Sequence, residues 1–139
     1  MKKSFLFSAQ FHKAFAAISG CVTLPAIHKV AVAKMKLKFA AEEKIVGEIR
    51  DGLIVHHAEK HPDGSPVCKH TEAGLEYTVS EENRRKLDAD LKPVMEEEFF
   101  FKPLMLEDIV NLPTVDGDVI ATLLEAGVIV EGNDQCEGN

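Results

Sequence analysis

Residues 23–61, TLPAIHKVAVAKMKLKFAAEEKIVGEIRDGLIVHHAEKH, constrain this chain more than any other stretch. Ile27, Val30, Lys34, Leu37, Ala41, Ile45, Ile49 and Leu53 follow one another at three- or four-residue steps. That spacing marks one face of an α-helix, with a single lysine whose methylene stem can lie along the stripe. Thr23 is positioned to cap the helix, and Pro25 falls in its first turn, where a missing N–H costs nothing. The middle is rich in Ala, Lys, Glu and Leu, all good helix formers. Gly47 and Gly52 are its weak points, where a bend or break is expected, and Pro62 ends it. An unbroken helix of this extent measures about 55 Å, at 1.5 Å per residue. One small domain cannot cover it on every side, so it needs a partner helix from its own chain or from another molecule.

The remaining chain reads as material packed on that helix. Phe7, Phe11, Phe15 and Ile18 give a short helical pattern over residues 8–19, closed by Gly20. Its phenylalanines could face a partner, but core packing is the favoured reading. Residues 61–66 contain Pro-Asp-Gly, strong turn chemistry, so the chain reverses there. Leu75, Tyr77 and Val79 alternate as in a short strand or extended arm. Ser80 caps a second helix over 81–97, with Leu87, Leu91, Val94 and Met95 inward and a kink or a break into two segments at Pro93. The turn sets this helix antiparallel to the long one.

Further on, three consecutive phenylalanines, Phe99, Phe100 and Phe101, cannot all face one side of an element, so at least one is expected at an interface or under a loop. Residues 106–112 read as a short helix. Thr114 or Asp116 caps a last helix through Glu125, with Ile120, Leu123 and Leu124 inward and Gly127 as terminator. Val128, Ile129 and Val130 form an apolar run expected to pair near Phe99, Phe100 and Phe101. Residues 131–139 read as a polar, mobile tail.

The architecture expected is mainly α: a single domain over 1–139, built on a long antiparallel helical hairpin (23–98). An N-terminal helix (1–22) and short C-terminal elements (99–130) flank it, with a minor two-stranded β element. The 139 residues, 45% hydrophobic and 28% charged, suit one modest core. A net charge of −7 without a basic stripe argues against direct binding of nucleic-acid backbone. No Trp and one Tyr leave no stacking platform for bases. Three widely spaced cysteines, Cys21, Cys68 and Cys136, point to reduced thiols. No apolar run approaches the ~18 residues of a membrane span. Met1-Lys2-Lys3, Phe5-Leu6-Phe7 and Ile18-Ser19-Gly20-Cys21 have the outline of a lipoprotein leader, but Gln10, His12 and Lys13 interrupt its apolar region.

Two constellations could carry chemistry. His56, His57, His61, Cys68 and His70 lie inside fifteen residues around the turn. Imidazole and thiolate suit zinc, and a set of His57, His61, Cys68 and His70 would staple the tip. The spacing matches no established zinc motif, and a solvated helix end is the plainer reading. Glu81, Glu82, Asp88, Asp90, Glu96, Glu97 and Glu98 are interleaved with Arg84, Arg85 and Lys86, which reads as a solvated helix face. No nucleophile elbow, zincin motif, Walker loop or dinucleotide-binding fingerprint occurs, so no enzyme is expected.

The order of features carries a resemblance. It begins with L-P-x-I-x-K-V-A-V-A-K-M, from Leu24 to Met35, then Glu42-Glu43, Ile49-Arg50 and Asp63-Gly64. Glu82-Asn83, Glu96-Glu97-Glu98, Leu104-x-Leu106-x-Asp108 and Leu123-Leu124-Glu125 complete it. The chain resembles a family of short bacteriophage-encoded helical proteins of unassigned function, from which it departs in its histidine-rich tip and its phenylalanine run. The resemblance implies a viral accessory or virion protein, located in the host cytoplasm or the virion. The expected role is a non-enzymatic structural or assembly component. Its partners would be other phage structural proteins or copies of itself in a homo-oligomer, with no cofactor. The interface residues expected are Phe11, Phe15, Phe99, Phe100 and Phe101. Two other roles fit the composition: an acidic modulator that docks on a host protein, and a small zinc-stabilised binding module.

Overall fold

A computed structural model describes residues 1–132, so Cys136 and the rest of the polar tail lie outside the described residues. The protein is mainly α. In chain order, a short 3-10 helix (Lys3–Phe7) precedes α1 (Ala9–Ser19) and α2 (Ala26–His57). Then come β1 (Cys68–Thr71), β2 (Gly74–Tyr77), α3 (Glu81–Glu96), β3 (Leu104–Met105), α4 (Leu106–Ile109), α5 (Gly117–Ala126) and β4 (Ile129–Val130). The chain forms two compact units, one of Met1–Glu43 with the chain from Glu98 onward, the other of Lys44–Glu97.

Local chemistry explains most helix ends. The Ser8 and Ser80 hydroxyls accept from the Phe11 and Asn83 amides at the starts of α1 and α3. The Asp116 carboxylate accepts from Val119 N–H at 2.9 Å at the start of α5. Gly127, at φ 80°, ends α5 in the left-handed conformation that only glycine adopts without strain. Thr23 does not cap α2. The Pro25 carbonyl accepts from His28 and Lys29, each at 3.0 Å, and the helix begins at Ala26. Thr23 instead belongs to the preceding turn, with its hydroxyl 3.3 Å from the Cys21 sulfur.

α2 runs unbroken through Gly47 and Gly52 but stops at His57, short of the expected His61. The Lys60 ammonium donates to the carbonyls of Val55, His56 and Ala58 and so satisfies the helix end with a cation. Beyond it the backbone turns to β-type pairing, with Glu59 N–H on Thr78 O at 2.8 Å and Val67 N–H on Glu59 O at 2.7 Å. α3 also continues through Pro93 to Glu96 as one helix, not two segments. α4 is shorter than expected and ends at Ile109.

The face of α2 that packs inward is not the one its first apolar stripe suggests. The buried residues are Val32, Met35, Phe39, Glu42 and Val46, again at three- and four-residue steps. Ile27, Val30, Leu37, Ile45 and Ile49 are exposed. At 100° per residue the two series lie about 120° apart around the helix. Aromatic rings decide between them. Phe39 meets Phe11, Phe15, Phe99 and Phe101 with ring centroids 5.1–5.9 Å apart, all near edge-to-face. Edge-to-face pairs add about 0.5–1.5 kcal/mol each to the burial itself. Leu6, Ile18, Ile109, Leu123 and Ile129 complete this core, so the leader-like N-terminal segment is core material.

The C-terminal strand pairs elsewhere than expected. β4 lies parallel to β3, with Ile129 opposite Leu104, instead of against the phenylalanine run. The backbone beside that run is already taken, because Phe99 N–H donates to Met1 O and the Met1 amino group donates to Phe99 O, both at 2.9 Å.

A buried ion pair lies in the same unit. The Lys3 ammonium lies 3.3 Å and the Lys38 ammonium 3.2 Å from opposite oxygens of Glu42. Burial pushes the Glu42 carboxyl up, but hydrogen bonds and charge from Lys38 and Lys3 outweigh it and hold it below the ordinary carboxylate range. A carboxyl lowered in the folded state stabilises fully above its unfolded pKa, and that contribution disappears as pH falls through the folded value.

Two predictions follow from this packing. Phe39→Ala destabilises by about 3–5 kcal/mol in urea unfolding at neutral pH, because four ring contacts are lost at one site. Glu42→Gln costs about 1–3 kcal/mol at neutral pH by removing the carboxylate charge that Lys3 and Lys38 both approach. It also flattens the loss of stability that the unmodified protein shows between about pH 5 and pH 3, as urea midpoints over that range will measure.

Candidate functional site

The exposed face of α2 borders a groove in the first unit. Ile27, His28, Val30, Ala31, Lys34 and Met35 form one wall, and Phe101, Lys102, Pro103, Leu104, Met105 and Asp108 form the other. Its volume is about 450 Å³, within the range of ligand and peptide clefts. α2 supplies its wall because its opposite side is committed to the phenylalanine core. The other wall is fixed by the parallel pairing of β3 with β4 and by α4, which follows β3 directly.

The surface around the groove is strongly apolar. Ile27 is 75%, Val30 55% and Leu37 74% exposed. Isolated apolar side chains on a surface are ordinary, whereas a continuous set along one helix face marks an interaction surface. The polar groups here are few. His28 Nε2 lies 3.8 Å from Asp108 Oδ1, an ion-pair distance if the ring is protonated, and Lys34 and Lys102 line the groove.

Of the five expected interface phenylalanines, Phe11, Phe15 and Phe99 are buried in the ring cluster and Phe101 is half-buried on the groove wall. Phe100 alone of the five stands out into solvent. The physical reason is the alternation of an extended segment, which turns Phe99 and Phe101 toward Phe39 and Phe100 away.

The structure does not gather the proposed zinc set. His57 Nε2 is 2.8 Å from Asp90 Oδ2, which joins the end of α2 to α3. His61 lies in a turn, with its N–H on Ser65 O, and Cys68 and His70 lie on the exposed strand β1. Among the described residues no group of three or more His, Cys, Asp or Glu is placed to hold a metal ion. Two of the acidic residues of α3 pair within their own helix, Glu81 with Arg85 at 3.5 Å and Glu82 with Lys86 at 3.7 Å, all exposed. The Cys21 thiol is held below its usual value by the Thr23 hydroxyl, against the effect of burial. It is buried, and no base accompanies its interaction with Thr23.

The groove's far wall, Lys102, Pro103, Leu104, Met105 and Asp108, was not legible as a site in the sequence. The available signal was the second apolar series on α2, since a helix with apolar residues on two sides must leave one open or give it to a partner. Comparison with known proteins gave no family model, no curated protein and no solved structure that matches the chain.

The two faces of α2 predict opposite responses to substitution. Leu37→Gln and Ile27→Gln each leave unfolding stability within about 0.5 kcal/mol. Met35→Ala, on the buried side of the same helix, costs about 2–5 kcal/mol. Chemical denaturation of the three variants checks this.

Proposed function

We propose that this protein is a non-enzymatic component of a protein assembly and works by presenting the exposed apolar face of α2 to another protein. The observation that carries the reading is the run of Ile27, Val30 and Leu37, exposed along one side of a helix whose other side anchors a core. Water around such a stripe is unfavourable, and covering it with a complementary surface recovers about 25 cal/mol for each Å² of apolar area removed from solvent. The groove beside it adds a concave second wall. A structural or assembly role in a bacteriophage, as the resemblance implies, is the setting in which this reading has its simplest meaning.

A photo-crosslinking amino acid placed at Leu37 tests the proposal in the cells that produce the protein. The expected result is a discrete covalent protein adduct, absent when the crosslinker replaces Lys36, which is exposed on another side of α2. Equal labelling from both positions, or no adduct from either, contradicts it.

A further inference from the structure

The spacing along the exposed face says what kind of surface covers it. Ile27, Val30, Lys34, Leu37 and Ala41 follow one another at steps of three, four, three and four. This is the a/d pattern of a helix that packs against a second helix. Ala26, Ala33 and Ala40 run beside the seam, where their small side chains allow a second backbone to come close. A rod-shaped partner also suits the groove, whose second wall includes Leu104 and Met105.

Charge narrows the choice further. Residues 26–41 hold Lys29, Lys34, Lys36, Lys38 and His28 and no acidic residue, within a chain of net charge −7. Lys38 is paired with Glu42, but Lys34 stands in the seam and Lys102 lines the opposite wall, where the lining carboxylate of Asp108 lies 3.8 Å from His28. A second copy centred on the groove would set Lys34 against Lys34 in the parallel and the antiparallel orientation alike. Like charges in direct opposition are unfavourable. A flat anionic lipid surface could meet the stripe but would not fill the groove.

We infer that this face and groove receive an acidic amphipathic helix from another protein, with apolar residues along α2 and a carboxylate toward Lys34 and Lys102. The inference rests on the proposed protein-contact role and specifies the partner's chemistry. Recognition would follow the helix-in-groove mode, with apolar anchors giving affinity and the carboxylates giving register and choice of partner.

The test uses the full chain and synthetic three-heptad peptides, one with leucine seams flanked by glutamate and a twin with lysine at the glutamate positions. Fluorescence anisotropy is expected to show binding of the acidic peptide and at least tenfold weaker binding of its lysine twin. Lys34→Glu and Leu37→Glu each weaken the acidic peptide at least tenfold, with circular dichroism confirming that both variants remain folded. Methyl resonances of Ile27, Val30, Leu37 and Met105 shift on binding. Equal binding of the two peptides, or binding of neither, overturns the inference. Binding to phosphatidylglycerol vesicles that Lys34→Glu abolishes, without peptide binding, overturns it in favour of lipid. A concentration-dependent dimer that Leu37→Glu dissolves overturns it in favour of a second copy. If the peptides fail while the crosslinker at Leu37 still captures a protein, only the partner's chemistry is wrong; if both fail, the protein-contact role falls with it.

Discussion

Phe39 is the interaction on which the larger unit depends. Its ring is met by Phe11 and Phe15 from α1 and by Phe99 and Phe101 from the segment after α3. Segments distant in sequence therefore converge on one position of α2. Fixing Phe39 inward fixes the rotation of the helix, so Val32 and Met35 become core and Ile27, Val30 and Leu37 turn to solvent. The exposed face is in this sense a consequence of the aromatic core. The buried Lys3–Glu42 pair lies on the same inward side and holds the N-terminal segment in place. Such a pair adds little net stability over an apolar substitute, but it penalises any packing that separates its charges.

Much of the architecture was legible in the sequence because it depends on local chemistry. Ser80, Asp116 and Gly127 act where their side chains or conformational freedom put them, at helix boundaries. The 61–66 reversal also follows from its residues, with Asp63 accepting from the Ser65 amide and hydroxyl at 3.0 and 2.6 Å. Those hydrogen bonds lower the Asp63 carboxyl pKa. What local chemistry could not give was the rotation of α2. Two apolar series run along that helix, and periodicity alone does not rank them. The ranking came from Phe39, whose partners are remote in sequence. The same is true of β4, which pairs with Leu104 and Met105, while the backbone of Phe99 is taken by Met1, also remote in sequence.

The candidate site shows the same division. Three adjacent phenylalanines cannot share a side, so one of them was expected away from the core, but that it is Phe100 depends on the position of Phe39. The histidine-rich tip is a contrary case, where nearness in sequence did not become nearness of side chains. His57 turns to Asp90 of α3, while Cys68 and His70 lie on a strand. A cluster of ligand types within fifteen residues is weak evidence for a metal unless the backbone folds it into one shell.

The orientation of α2 is the central claim, and solvent paramagnetic relaxation of methyl groups tests it most directly. A soluble gadolinium chelate added to dilute protein should strongly relax the methyls of Ile27, Val30 and Leu37. It should leave those of Val32, Met35 and Val46 nearly untouched. Protection of Ile27 and Leu37 together with relaxation of Val32 and Met35 would mean that the helix packs through its other face, and the account of both core and site would fail.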